Sequence, residues 1–305
     1  MININEKDFI ETVTVKGLQV SLIASSNTTE IIHHRLEDGT NWALEPEEGW
    51  EALEYLLILK GELVTFPLNN DIHPLKAGDS FFRHPVKEHY TFKAVGVTEF
   101  LYVTSQPIFH RYSRIAQDMV ELVKSIEAKD GYTLNHCSRI TRLSMIVGEA
   151  MEMDSEQILR LNLASFFHDI GKVNIPENIL KKPGKLTDGE WKVMKCHPIF
   201  GRELLEECTI PVLASIGKIV EQHHERYDGN GYPKGLKGDE ISIEAAIISV
   251  VDSYDAMTTD RVYQERRSHE YAFNELLRCR GTMYHPDVVD KFIELKETIL
   301  GVREE

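Results

Sequence analysis

Seven residues in the C-terminal half carry side chains that ligate divalent cations: His136, His168, Asp169, His197, the adjacent pair His223 and His224, and Asp252. Five are imidazoles and two are carboxylates. No thiolate pair accompanies them, because Cys137, Cys196, Cys208 and Cys279 are scattered without a Cys-x-x-Cys spacing. Nitrogen and oxygen donors select iron, manganese or zinc over a sulfur-bound structural ion. His168-Asp169 closes the most apolar helical segment of the chain, and Asp252 follows the run Ile247-Ile248-Ser249-Val250-Val251, so both carboxylates are expected to be buried. A buried ionised carboxylate is costly unless a cation or a donor compensates it, and a metal is the economical compensation. One ion with an open position would not use seven ligands, whereas two ions sharing a bridging Asp would. Such a pair, roughly 3.5 to 4 Å apart, makes hydroxide available at neutral pH and neutralises charge on a phosphoryl group under in-line attack. A lone histidine is more often a hydrogen-bonded core residue, so the joint pattern carries the signal. His33, His34, His73, His84, His89, His110, His269 and His285 lack a comparable carboxylate setting and read as core or surface residues.

The elements that must position these ligands follow from periodicity. The chain has 305 residues, about twice the usual domain length, so two domains are expected. Up to about Ser105 it reads as short strands (Thr12 to Val20, Gln19 to Ala24, Tyr55 to Leu59, Glu62 to Phe66, Ser80 to Phe82, Thr98 to Thr104), with turns expected at Lys60-Gly61-Glu62 and Ala77-Gly78-Asp79. After Pro107 a helical period takes over, in Ile108, Ile115, Met119, Leu122, Val123 and Ile126. The expected organisation is an N-terminal β domain over residues 1–106, a connecting helix over 107–129, and an all-helical domain over 130–305. The connecting helix either packs on its own domain or pairs two chains as a coiled coil. Within the helical domain, Ile140, Leu143, Ile146/Val147 and Ala150/Met151 form one stripe, and Ile158 to Phe167 is apolar nearly all round and therefore central. Thr187-Asp188-Gly189-Glu190 has the form of a capping box opening a helix that runs through Trp191, Val193, Met194 and His197. Further helices are expected at Val212 to His224, Ile243 to Met257, Ser268 to Arg278 and Pro286 to Leu300.

The formal charge of −15 repels polymeric nucleic acid and anionic membranes. No stretch approaches the roughly 20 apolar residues of a membrane span, and no secretory signal opens the chain. With dispersed cysteines, a cytoplasmic location is expected. A phosphate-bearing ligand would need a local reversal of sign, which two divalent ions and nearby cations provide.

The stretches His168-Asp169-Ile170-Gly171-Lys172 and His223-His224-Glu225-Arg226-Tyr227-Asp228-Gly229-Asn230-Gly231-Tyr232-Pro233 resemble the two signatures of the HD-GYP family of cyclic-dinucleotide phosphodiesterases. The resemblance covers about residues 125 to 295, including Tyr132 to His136, Lys182 to Thr187 and Asp252 to Arg261. It implies an all-α HD-type domain over a centre of two divalent ions, iron or manganese, that hydrolyses cyclic di-GMP to pGpG and onward to GMP in some members. Carried over residue by residue, one ion takes His136, His168, Asp169 and Asp252, and the other shares Asp169 and takes His197, His223 and His224. Lys172 is then a substrate-binding and catalytic cation, Asp255 a carboxylate supporting the nucleophile, and Arg261 a phosphate grip. Gly229 and Gly231 permit the loop that holds Tyr232 near the cleft, with Pro233 stiffening its exit.

Three positions depart from the family pattern. Tyr132 replaces a glutamate that recruits a third ion in some relatives, so two ions are expected. Gln264 and Ala246 stand where cations are usual, which points to weaker affinity or a shifted preference, including for cyclic GMP-AMP. The first half resembles a small cupin-like β-barrel through Gly49, Glu54, Lys60-Gly61-Glu62, Gly78-Asp79, Pro85 and His89, without the metal-binding His-x-His of that fold. The whole reads as an α+β two-domain chain in which the barrel, with or without a small-molecule ligand, modulates the enzyme. Alternatives are a catalytically weak dinucleotide receptor and a broader HD-type phosphohydrolase. A homodimer and a diguanylate-cyclase-type protein are the macromolecular partners considered.

Overall fold

The computed structural model describes residues 9–15, 17–65, 72–110, 120–126, 136–208, 210–259 and 266–303. It divides into two units, Met1–Glu121 with Asp154–Glu156, and Leu122–Met153 with Gln157–Glu305.

The first unit is built on two long strands whose side chains alternate between buried and open faces. In chain order the strands are β1 (Glu11–Val15), β2 (Leu18–Ser25), β3 (Glu30–Leu36), β4 (Asn41–Leu44), β5 (Glu54–Thr65), β6 (Leu75–Lys76), β7 (Ser80–Arg83) and β8 (Tyr90–Thr104). All pair antiparallel in one sheet of order β1-β2-β3-β8-β5-β6, with β4 on β8 and β7 on β5. β8 is shared: β3 covers Thr98–Thr104 while β4 covers Tyr90–Lys93 on the same edge. One sheet face buries Leu22, Ile32, Leu36, Leu56, Ile58, Leu63, Phe92 and Phe100.

The all-β expectation for this half holds, with two local corrections: the strand expected over Thr12 to Val20 is a hairpin, β1 turning back antiparallel into β2 with Val15 paired to Leu18, and the second lies in β5. Lys60-Gly61-Glu62 is not a turn but lies inside β5, where the register against β8 shifts twice. Gly61 takes φ of 77°, and a Cβ there would sit 2.6 Å from the Val97 carbonyl oxygen, so the glycine marks a bulge that bends a continuous strand. Ala77-Gly78-Asp79 does turn, with Asp79 N–H donating to the Lys76 carbonyl. Phe66, Ile115 and Met119 lie outside the described residues, whereas Val123 and Ile126 of the connecting segment are buried.

The second unit contains α1 (His136–Ala150), α2 (Ser155–Phe167), α3 (Glu177–Leu180), α4 (Asp188–Met194), α5 (His197–Glu206), α6 (Pro211–Gln222), α7 (Ile243–Thr258), α8 (His269–Arg278), α9 (Pro286–Glu294) and α10 (Lys296–Arg303), with 3-10 turns at Ile170–Asn174 and Gly238–Glu240. The expected stripe of α1 buries Ile140, Leu143 and Val147, and α2 buries Ile158, Leu161, Ala164 and Phe167. Thr187 and Glu190 form the capping box of α4 in both directions. That helix, however, stops at Met194 rather than running through His197. Pro198, which lacks an amide donor, belongs to the first turn of the next helix, where no intrahelical donor is needed. The expected helix Pro286 to Leu300 is likewise two helices, interrupted at Leu295.

Packing between these helices is close where glycine allows it. A Cβ on Gly171 would fall 2.0 Å from the His197 carbonyl oxygen and 2.3 Å from the Gly201 nitrogen, so the turn after Asp169 lies directly on α5. No described helix is long and apolar enough to cross a membrane.

His34 tests the β core. Its ring stacks on Phe100 at 4.8 Å between centroids and meets the edges of Trp42 and Tyr102. Burial, reinforced by His33, lowers its pKa from 6.5 to about 3. Below pH 6.5 the unfolded chain takes up a proton that the folded ring refuses, so this stabilisation is full above 6.5 and is lost towards 3, at about 1.4 kcal/mol per pH unit. Glu45, raised by burial to about 7, acts in the opposite sense between 7 and 4.5. The difference between the pH profiles of denaturant midpoints for wild type and His34→Phe isolates the histidine: the variant is expected to lose less stability on acidification, and parallel profiles would contradict the assignment.

Candidate metal centre

Three of the five histidines are held by the same local device. His168 follows α2, His197 opens α5 and His223 follows α6, and in each the Nδ1–H donates to the carbonyl three residues earlier: Ser165 at 2.9 Å, Met194 at 2.9 Å and Val220 at 2.6 Å. His136, the first residue of α1, instead donates from Nδ1 to Asp255 Oδ2 at 2.8 Å. A proton engaged at Nδ1 leaves the lone pair on Nε2, the tautomer that binds a cation. The Nε2 atoms converge: those of His197 and His223 are 3.3 Å apart.

Asp169 stands between two sets of donors. Its Oδ1 is 3.3 Å from His197 Nε2 and 4.0 Å from His223 Nε2, while its Oδ2 is 3.2 Å from His168 Nε2 and 2.8 Å from Lys172 Nζ. Two ligand groups result, Asp169 with His197, His223 and His224, and Asp169 with His136 and His168, each with its donor atoms within 4.8 Å of one another. Asp252 lies beside the second group, its Oδ1 3.6 Å from His136 Nε2. That oxygen is buried and accepts no hydrogen bond, a state that a cation between Asp252 and His136 would relieve. The donor set is therefore chemically suited to hard or borderline divalent cations, with Asp169 common to both ligand groups.

Burial differs from expectation at Asp252. Asp169 is buried, but Asp252 is only partly so, with 16% of its side chain exposed. On α7 the residues Ser249, Asp252, Ser253 and Ala256 form the less buried stripe, whereas Ile247, Ile248, Val250 and Val251 are fully enclosed. The run preceding Asp252 describes the other faces of the helix, so its apolarity does not transfer to this one.

The electrostatics show what a cation would meet. Burial works to raise the Asp169 carboxyl, but Lys172 and His168 outweigh it and hold it well below the usual carboxylate range. Burial works to lower His168, yet Asp169 lifts it to about 9, so a cation entering beside it displaces that proton. His223 and His224 are lowered by burial and then by neighbouring imidazoles, which favours the neutral ligating form.

Lys172 is buried on the 3-10 turn and points at Asp169, in the position expected for a cation next to the centre. Asp255 departs from its expected place beside the nucleophile. It is fully buried behind His136, bonding its Nδ1 and taking both Arg139 Nε at 2.8 Å and Nη2 at 2.9 Å. These bonds overcome the upward push of burial and keep Asp255 well below the carboxylate range. It holds the His136 ring rather than facing the open side. Arg139 is not conspicuous in the sequence; its spacing of three from His136 on α1 is the available signal. Arg261 lies outside the described residues, as do Tyr132 and Gln264.

The loop after His224 returns to the centre. Tyr232 N–H donates to the His224 carbonyl at 3.2 Å, and the two rings lie 4.9 Å apart. A Cβ on Gly231 would meet the Arg226 nitrogen at 2.3 Å, so the chain passes too close to itself there for any side chain. Glu225, which in the sequence is merely one residue of the motif, is the anchor: its buried carboxylate accepts from the N–H groups of Lys234 at 2.7 Å, Gly235 at 3.1 Å and Leu236 at 3.1 Å.

Comparison with known proteins adds to this geometry. The family described as "HD domain" matches residues 112–288, more than half of the chain. A cyclic di-GMP phosphodiesterase of Thermotoga maritima is 38% identical over 200 residues, covering 65% of this chain and 54% of that one. A 3'3'-cGAMP-specific phosphodiesterase of Vibrio cholerae is 34% identical over 186 residues, covering 60% of this chain and 35% of that one. The chain thus spans about half the length or less of these curated relatives. For the β half, a solved RmlC-like cupin from Shewanella frigidimarina is 17% identical with a TM-score of 0.28, covering 34% of this chain and 88% of that one.

Two substitutions check the supports. Asp255→Asn leaves a neutral partner at His136 and Arg139 and is expected to weaken metal affinity roughly 10- to 100-fold; a competitive chelator titration measures this, and unchanged affinity would contradict the role. Glu225→Ala removes the acceptor of three backbone amides and is expected to cost about 1–3 kcal/mol, with new proteolytic cleavage near residues 229–237. Cleavage kinetics equal to wild type would show that the loop is held by other contacts.

Proposed function

The chain belongs to the HD domain family, and from that premise we propose that it is a phosphodiesterase dependent on two divalent ions, iron or manganese, which hydrolyses cyclic di-GMP to linear pGpG. The carrying observation is Asp169, whose two oxygens face separate groups of histidines. His136, His168, Asp169 and Asp252 would hold one ion, and Asp169, His197, His223 and His224 the other. When bound, the ions supply neutralisation of phosphoryl charge and acidification of water at neutral pH.

The chain's own residues do the rest. The four Nδ1 contacts fix the imidazoles before any ligand arrives, so little reorganisation accompanies reaction. Lys172, anchored on Asp169 Oδ2, presents an ammonium donor for a non-bridging phosphoryl oxygen. Tyr232, its ring 4.9 Å from that of His224, would border the substrate, and Arg261 would grip a second phosphate. Asp255 would act through His136 rather than on the nucleophile. The negative net charge disfavours polymeric nucleic acid and favours a small dinucleotide whose phosphates meet cations at and beside the centre. The β unit would modulate this activity, in a cytoplasmic setting.

Relatives named for both cyclic di-GMP and cyclic GMP-AMP favour testing a second substrate. Metal-loaded protein is expected to convert cyclic di-GMP to pGpG, and to GMP if a second bond is cut, and to open cyclic GMP-AMP more slowly, to a linear dinucleotide of one adenosine and one guanosine. Asp169→Ala is expected to abolish turnover, and Lys172→Gln to lower kcat about 100-fold with little change in metal content. Tight binding without products under iron, manganese or zinc would contradict the enzyme and favour a receptor. Chromatographic product analysis reads every arm.

A further inference from the structure

Trp191 is an unusual residue for its position. It is 47% exposed on α4, a helix fixed at its start by the Thr187–Glu190 capping box and by the Lys182–Glu190 ion pair. It is also the one tryptophan of the helical half, the others being Trp42 and Trp50. The end of α4 is tied to the metal centre, since the Met194 carbonyl accepts the Nδ1–H of His197. Lys195 follows Trp191 by one helical turn, its N–H donating to the Trp191 carbonyl at 3.0 Å, so both side chains occupy one face. The Lys195 Nζ lies 5.8 Å from the centre of the Tyr232 ring, and that ring is 4.9 Å from His224. Tyr232 and Lys195 thus lie between the centre and the helix face that carries the exposed indole.

We propose that Trp191 and Lys195 form a nucleotide subsite, in which the indole stacks on a purine base and the ammonium pairs with the phosphate not undergoing cleavage. The proposal deepens the phosphodiesterase reading and rests on it for the substrate class. An aromatic plane flanked by a cation matches a ring that carries a phosphate. Trp191 is followed by Lys192 and Lys195 rather than by exposed apolar residues, which separates this face from an apolar anchor for a protein partner. In a chain of charge −15, a lysine-bearing face beside the centre also supplies charge complementarity to an anionic ligand.

The test uses the full-length, metal-loaded protein and two probes that are not phosphodiesters, GMP and ribose 5-phosphate. GMP is expected to quench tryptophan fluorescence while ribose 5-phosphate does not, and Trp191→Phe, which keeps an aromatic plane but not the indole, is expected to remove the quench. Calorimetry should show GMP binding about 5- to 150-fold weaker in Trp191→Ala, the range for loss of one base stack, and Lys195→Gln should weaken both probes. A quench that survives in Trp191→Phe, or GMP binding unchanged in Trp191→Ala, would overturn the subsite. Because neither probe is hydrolysed, a quench without turnover of cyclic dinucleotides counts against the phosphodiesterase alone, and turnover without a quench counts against the subsite alone.

Discussion

The structure of the helical unit depends on one buried carboxylate shared between two sets of imidazoles. Asp169 cannot serve His168 and His197 together unless the turn that carries it lies against α5, and Gly171 and Gly201 are what permit that approach. Five rings brought this close to one another repel as cations and waste their lone pairs as neutral bases. Cations between them would resolve both problems. Helix ends rather than helix middles carry most of these side chains, and at His168, His197 and His223 a carbonyl three residues back holds the Nδ1 proton.

The surrounding shell extends the same logic outward. Asp255 and Arg139 fix His136 from behind, Glu225 ties down the loop that sets Tyr232 beside His224, and Glu221, buried on α6, pairs with Arg202 at 3.0 Å and with Lys234 of the same loop. Each of these acids is enclosed and satisfied by donors, so each costs stability if its partner is removed. A rigid frame of this kind positions reacting groups without reorganisation, which is where most of a hydrolase's electrostatic advantage originates.

Much of this arrangement is legible in the amino-acid sequence. The ligand-type residues stand out because imidazoles and carboxylates at the ends of strongly apolar runs are poorly accounted for by core packing, and helical periodicity locates α1, α2, α6 and α7 within a few residues. Local patterns mislead where they are silent about tertiary context. Gly61 carries the signal of a turn, yet pairing with β8 turns the same positive φ into a bulge. The helix from Thr187 is overextended by periodicity because apolar spacing continues through His197, whereas Pro198 opens a new first turn. Asp255 shares a helix with Asp252 at a spacing of three, but only the fold reveals that it reaches back to His136. Glu225 and Trp191 are visible as letters within a motif and a helix; their roles depend on what the chain brings near them.

The most direct measurement of the central claim is anomalous diffraction from crystals of the manganese-loaded protein. Two peaks are predicted, one on each side of Asp169, with His136, His168 and Asp252 around the first and His197, His223 and His224 around the second. A single peak, or density away from the Asp169 carboxylate, would contradict a shared bridging ligand and with it the two-ion chemistry of the site.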